Sequence, residues 1–324
     1  MTDRVIDDAD AVAVTRVRPA AVVAFVMLAF ALAWLAVLPL WLGDGLAAPF
    51  SFAILPLMMT TPTLALLIVL LVLRPLPRGR RLRFLGVWPL RPARRVIGMS
   101  LIGLFGPIVL IALSAFLAIA LGWVQADLTG FSGFAGALEA TTPDGVPAPP
   151  VQLIIALQLI SIPVVGATLN ALFAFGEELG WRGFLVPALR PLGTWSALLL
   201  SGAIWGLWHT PVILLGHNFG RTDITGVLVM TVGCIGWGVL LGWLRLRSAS
   251  VWPAVFAHGA INAAAGMVML FHAAGSTVDP ALAGPLGVAG WIVCAVAIAI
   301  LALAGQFRRQ PQLADPAAPP AANP

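Results

Sequence analysis

The sequence predicts an all-α protein, a polytopic transmembrane helical bundle of about eight spans with N and C termini cytoplasmic. Three observations carry the prediction. Of 324 residues, 60% are apolar and only 10% are charged, and the mean hydropathy is +1.00, far outside the range of soluble globular domains. Apolar runs of the length that crosses about 30 Å of hydrocarbon, about 20 residues each, recur along the chain. The arginines fall between alternate runs, as short cytoplasmic loops require.

The runs lie near 20–42, 51–73, 96–122, 151–175, 195–216, 225–244, 251–272 and 284–305. The first is too long and too poorly ended for a cleaved signal peptide and reads as a retained span. Residues 1–18, with Asp3, Asp7, Asp8 and Asp10, read as a disordered cytoplasmic tail, 19–305 as the membrane domain, and the Pro/Ala/Gln-rich 306–324 as a second disordered tail. The 123–150 segment, ending TTPDGVPAPP, reads as an external loop rather than a helix. No internal repeat stands out, which weighs against a transporter built from duplicated halves.

Orientation follows from the 74–95 loop, which carries Arg74, Arg78, Arg80, Arg81, Arg83, Arg91, Arg94 and Arg95 and is therefore placed in the cytoplasm. Counting spans outward puts Arg16, Arg18, Arg182, Arg190, Arg245, Arg247, Arg308 and Arg309 on that side, and Asp44, Asp127, Glu139, Asp144 and Asp279 outside. Only Arg221, beside Asp223, dissents, and a seven-span count would break the pattern. There is no lysine, so the net charge of +5 reflects arginine clusters rather than a basic face, and nucleic acid is not an expected partner. Cys234 and Cys294 fall inside apolar runs and suggest neither a disulfide framework nor a metal site. The expected location is the cell (plasma) membrane, multi-pass.

Few side chains capable of chemistry lie within or beside the spans, and ionisable groups at that depth normally mark a cavity or a functional site. Glu177 and Glu178 stand in FGEELGWRGFL and account for two of the chain's three glutamates. They could be mere solubilising anions at a helix end. The apolar run continues past them, however, and Arg182 lies one helical turn after Glu178, placed for an ion pair. Adjacent helical residues point about 100° apart, so one carboxylate can pair with Arg182 while the other is left for chemistry. His258 and Asn262 share a helix face in VFAHGAINAAAG, among small residues that let helices approach closely. They fit a polar packing seam or a common pocket. His209, in IWGLWHTPVI, sits one turn after Trp205 and just before Pro211, where a helix bend is expected. His217, Asn218 and His272 fall at outer helix ends and read as interfacial.

EELGWR, WGLWH and HGAIN together resemble the motifs EExxxR, aromatic-xxxH and HxxxN/B of the CAAX-prenyl-protease and bacteriocin-processing family of intramembrane proteases, also called the Abi family. The likeness covers about residues 150–275, the expected protease core. The second motif usually begins with Phe and here begins with Trp205; either supplies an aromatic wall. The resemblance implies that Glu177, with His209, activates the attacking water, that His258 and Asn262 hold the developing oxyanion, and that Glu178 and Arg182 stabilise the site by pairing. It implies a membrane-embedded or lipid-associated peptide or protein substrate in the lipid bilayer.

A catalytic metal is the alternative use of the same groups, because Glu177, His209 and His258 with an open water position would suit a divalent ion such as zinc. The chemistry can equally be metal-free. Two other classes compete with a protease. A cation- or proton-coupled transporter would need a polar path to both faces, for which the outer halves of the spans offer few groups, and a non-catalytic immunity or scaffold protein would keep the fold without turnover. The protease reading predicts that Glu177, His209, His258 and Asn262 line one cavity. Depth is the obstacle: at 1.5 Å per residue, His209 lies about 21 Å along a span starting near Thr194, whereas His258 is only about 10 Å from its cytoplasmic end.

Overall fold

The computed structural model describes residues 17–143 and 146–308; both expected tails lie largely outside them. The described residues are helical apart from turns and one isolated bridge, Ala126 with His272. In chain order the helices are α1 (Pro19–Trp41), α2 (Ser51–Met59), α3 (Thr61–Val72), α4 (Arg81–Leu85), α5 (Ala93–Ala120), α6 (Ser132–Thr141), α7 (Val151–Ala167) and α8 (Leu169–Glu178). A π-helical turn, Leu179–Leu185, leads into α9 (Val186–Leu189). There follow α10 (Thr194–Trp208), α11 (Thr210–Ile213), α12 (Ile224–Ser248), α13 (Trp252–Ala264), α14 (Pro280–Ala283) and α15 (Val288–Leu303).

Every predicted apolar run is helical, but the runs are not eight uninterrupted spans. Among the described residues six helical stretches are long and apolar enough to cross a membrane, and α7 with the chain from α8 onward, bent by 42°, makes a seventh if the pair is counted as one span. The run expected at 195–216 is short because α10 stops after 15 residues at His209 and α11 adds four. Proline at 211 removes a backbone donor there, which accounts for the break at His209. Large apolar side chains such as Leu71, Ile160 and Leu172 are exposed along α3, α7 and α8, a surface that lipid would cover.

The two ends of the bundle differ in charge as the arginine pattern requires. At one end Gly86 O accepts from Val251 N (2.9 Å) and Ser250 Oγ (3.1 Å), tying the arginine-rich loop to the turn between α12 and α13. At the other, Trp41 Nε1 donates to Pro211 O (2.9 Å), and Asp127 N donates to Phe271 O (2.9 Å). Arg221, the dissenting cation, sits at this second end and pairs with Asp279 at 2.9 Å.

One expected loop contains a helix. Within 123–150, residues 132–141 form α6. The prolines of this segment all follow Thr142, so nothing before them breaks a helix. The Asp127 carboxylate prepares the chain's entry to α6 by accepting from Gly130 N (2.8 Å) and Ser132 N (3.2 Å). These donors, Gly130 foremost, hold the Asp127 carboxyl well below the usual carboxylate range.

Arg245 is not a loop cation but a fully buried side chain of α12. Its Nε donates to Arg182 O (3.1 Å) and its Nη2 to Phe84 O (2.7 Å), so one guanidinium joins α12 to both the π-turn and α4. Lysine has no fork to reach two carbonyls at once. Arg245→Lys is therefore expected to lower the stability of the detergent-solubilised protein by about 1.5–3 kcal/mol, the scale of one lost charged hydrogen bond; an unchanged melting temperature would refute this.

Candidate active site

The glutamate pair is positioned by glycines on either side of it. A Cβ at Gly176 would lie 2.8 Å from Met59 O, and one at Gly180 would lie 2.7 Å from Pro62 Cβ, so only glycine lets α8 and the π-turn approach the α2–α3 break this closely. Thr63 Oγ1 then donates to Gly176 O at 2.7 Å, fixing the backbone immediately before Glu177. Past the pair, Trp181 and Phe184 pack edge-on against Phe25 of α1, with ring centroids at 5.5 and 5.1 Å, and Trp181 also meets Trp208 of α10. The fourth apolar run thus continues through Phe184, which sinks both carboxylates into the bundle. π-Helical turns occur frequently at functional sites.

Glu177, Glu178, Arg182 and His258 come together, all buried. Glu178 Oε1 accepts from Arg182 Nη1 at 2.7 Å, the predicted one-turn ion pair, and also lies 2.9 Å from His258 Nδ1. An oxygen that pairs with a guanidinium is an acceptor, so His258 Nδ1 carries the proton and Nε2 faces the other carboxylate. Glu177 Oε1 is 4.0 Å from that Nε2, too far for a direct hydrogen bond and within reach of one shared water. His258 therefore lies between two carboxylates with separate partners, Arg182 for Glu178 and Trp205 for Glu177.

Sequence reasoning missed the group that holds Glu177. Trp205 Nε1 donates to Glu177 Oε2 at 2.7 Å. The Arg182 guanidinium stacks over the same indole at 4.2 Å, and the His258 ring meets it edge-on at 5.3 Å. The depth mismatch explains the substitution of one residue for another: His209 lies a turn beyond the level of Glu177, so Trp205 reaches the carboxylate first. His209 is half-buried, with Nδ1 2.9 Å from Trp205 O and its ring 5.8 Å from the Trp205 ring. A carbonyl accepts only, so Nδ1 carries the proton and His209 Nε2 offers a lone pair. Asn262 is exposed one turn after His258 and is not part of the hydrogen-bonded cluster. His217 and His272 lie at the second end of the bundle, away from it, and both cysteines are buried and free.

A metal site needs several donors around one point. Among the described residues no three His, Cys, Asp or Glu side chains are grouped so that they could hold an ion. Glu177, His209 and His258 do not make such a set here, because the Trp205 ring lies against both histidines and its N–H takes one Glu177 oxygen.

The fold and this cluster define a class: a polytopic helical membrane protein with a buried carboxylate, imidazole and guanidinium site in its interior. Residues 158–264 match the family described as Type II CAAX prenyl endopeptidase Rce1-like. The chain is also similar to CAAX prenyl protease 2 of Methanococcus maripaludis, with 30% identity over 107 residues, 31% of this chain and 39% of that relative. This segment, which holds all three motifs, is thus similar to CAAX prenyl endopeptidases. The aligned region spans well under half the length of the relative.

Proposed function

We propose that this chain is an intramembrane endopeptidase of the cell membrane, hydrolysing a peptide bond of a membrane-associated substrate with a water activated by Glu177. The observation that carries the reading is the 4.0 Å separation of Glu177 Oε1 and His258 Nε2, which one water lying beside that line can bridge, between a carboxylate fixed by Trp205 and an imidazole fixed by Glu178. Glu177 Oε1 takes a proton from that water. The hydroxide forms a bond to the scissile carbonyl carbon and the carbonyl π pair moves to oxygen. Two carboxylates set against Arg182 and a protonated His258 balance in charge, and in that state His258 Nε2–H donates to the oxyanion. Asn262 supplies the second donor when substrate is bound. Collapse breaks the C–N bond, and the proton held by Glu177 goes to the leaving amine.

The test is cleavage of defined membrane peptides by the purified protein in liposomes, with and without chelator. A prenylated CAAX peptide, the substrate type in the relative's name, and an unmodified single-span peptide are the two probes. Cleavage of either by wild type and not by Glu177→Gln supports the proposal; no cleavage of either, or equal cleavage by both proteins, counts against it.

Asn262 gives a separate prediction. If it donates only to the tetrahedral oxygen, Asn262→Ala lowers kcat by about 10²- to 10³-fold with little change in KM, the usual cost of one oxyanion donor. Asn262→Asp is at least as damaging, since it puts an anion where negative charge develops. Near-normal turnover by Asn262→Asp in the presence of chelator would remove Asn262 from this role.

A further inference from the structure

We propose that Trp205 is a positioning residue for Glu177, holding one carboxylate oxygen by its indole N–H so that the other is presented to the attacking water; this rests on the hydrolytic reading above. The indole touches four of the site's side chains: Glu177, Arg182, His258 and His209. Its N–H donates to Glu177 Oε2 at 2.7 Å, its face carries the Arg182 guanidinium at 4.2 Å, and its ring meets His258 and His209 edge-on at 5.3 and 5.8 Å. Its backbone carbonyl fixes His209 Nδ1 at 2.9 Å.

These contacts separate into two kinds. The ring contacts and the carbonyl bond need only an aromatic residue on α10 and would survive in phenylalanine. The bond to Glu177 needs the N–H. Without it, both Glu177 oxygens are free to turn, and rotation about the carboxylate carbon moves Oε1 off the line to His258 Nε2. A tryptophan N–H has no acceptor capacity, so it cannot compete for the water's proton and cannot itself be the base. The ring is 3% exposed, which keeps bulk water from replacing the lost donor. Aromatic character at this position is therefore a packing requirement, and tryptophan adds an orienting bond.

The experiment compares wild type, Glu177→Gln, Trp205→Phe and a protein carrying β-(3-benzothienyl)alanine at 205, which keeps the bicyclic shape and places sulfur where the N–H stands. Cleavage of the liposome peptides gives kcat and KM, and thermal unfolding reports the fold. Both replacements are expected to lower kcat about ten- to hundredfold, the rate equivalent of one hydrogen bond to a charged group, with KM within about twofold of wild type. The thioether analogue is expected to unfold at the wild-type temperature, which separates orientation from packing even if Trp205→Phe folds poorly. Full kcat in the benzothienyl protein, or a change confined to KM, overturns the proposal while Glu177→Gln remains inactive and the hydrolytic reading stands. Wild type without cleavage, or Glu177→Gln as active as wild type, overturns both.

Discussion

Glu177→Gln is expected to lower kcat by about 10²- to 10⁴-fold, the contribution of a positioned general base, while the protein stays folded. Glutamine has the same shape and keeps an oxygen to accept the Trp205 N–H, so the bond at 2.7 Å has a replacement. What it lacks is a site for the water's proton, and no other carboxylate takes over. Glu178, the nearest candidate, has its Oε1 shared between Arg182 and His258. His209 offers a lone pair but is anchored to Trp205 O rather than to Glu177, so it cannot place a water on the same line. Cleavage assays and thermal unfolding of the same preparation decide the matter. Turnover within tenfold of wild type would show that Glu177 is not the base, and a large fall in melting temperature would show that its role is structural.

The contrast between these two glutamates was legible in the sequence, because it needs only the angle between adjacent helical residues and the position of Arg182. The apolar runs were legible for the same reason: each carries its own signal, and each is helical in the bundle. Features that depend on two elements meeting were not. Nothing in IWGLWH says that the Trp205 N–H, rather than His209, meets Glu177; that follows from how deep α10 sits beside α8. The burial of Arg245 was hidden likewise, since arginine near a helix end usually marks the interface, and only the packing of the π-turn and α4 against α12 supplies carbonyls for it. The interruption of the fifth run had a visible cause in Pro211, but the length it leaves on either side did not. The spacing of His258 and Asn262 predicted one shared face, and the structure gives them different surroundings, one buried against Glu178 and the other exposed.

The largest expected loss of stability belongs to the Glu178–Arg182 pair. Both side chains are fully buried and joined at 2.7 Å. Removing one charge takes from the other the partner it is joined to in the buried interior, which typically costs about 3–5 kcal/mol. Glu178→Gln and Arg182→Met are each expected to fall in that range, because each strands a charge. Glu178→Gln also weakens the anchor for His258 Nδ1 at 2.9 Å. Catalysis should therefore fall in proteins that still fold, through disorder of the imidazole rather than loss of the base. The double variant Glu178→Leu/Arg182→Met strands neither charge. It is expected to unfold at a higher temperature than either single variant, since replacing a buried pair by apolar groups is often neutral or stabilising. It should nonetheless cleave no peptide, with His258 unheld and the cation over Trp205 gone. Thermal unfolding of the three variants beside wild type measures the coupling directly. If the double variant loses the sum of the two single losses, the residues act independently, and the pair is not what holds the site in the membrane interior.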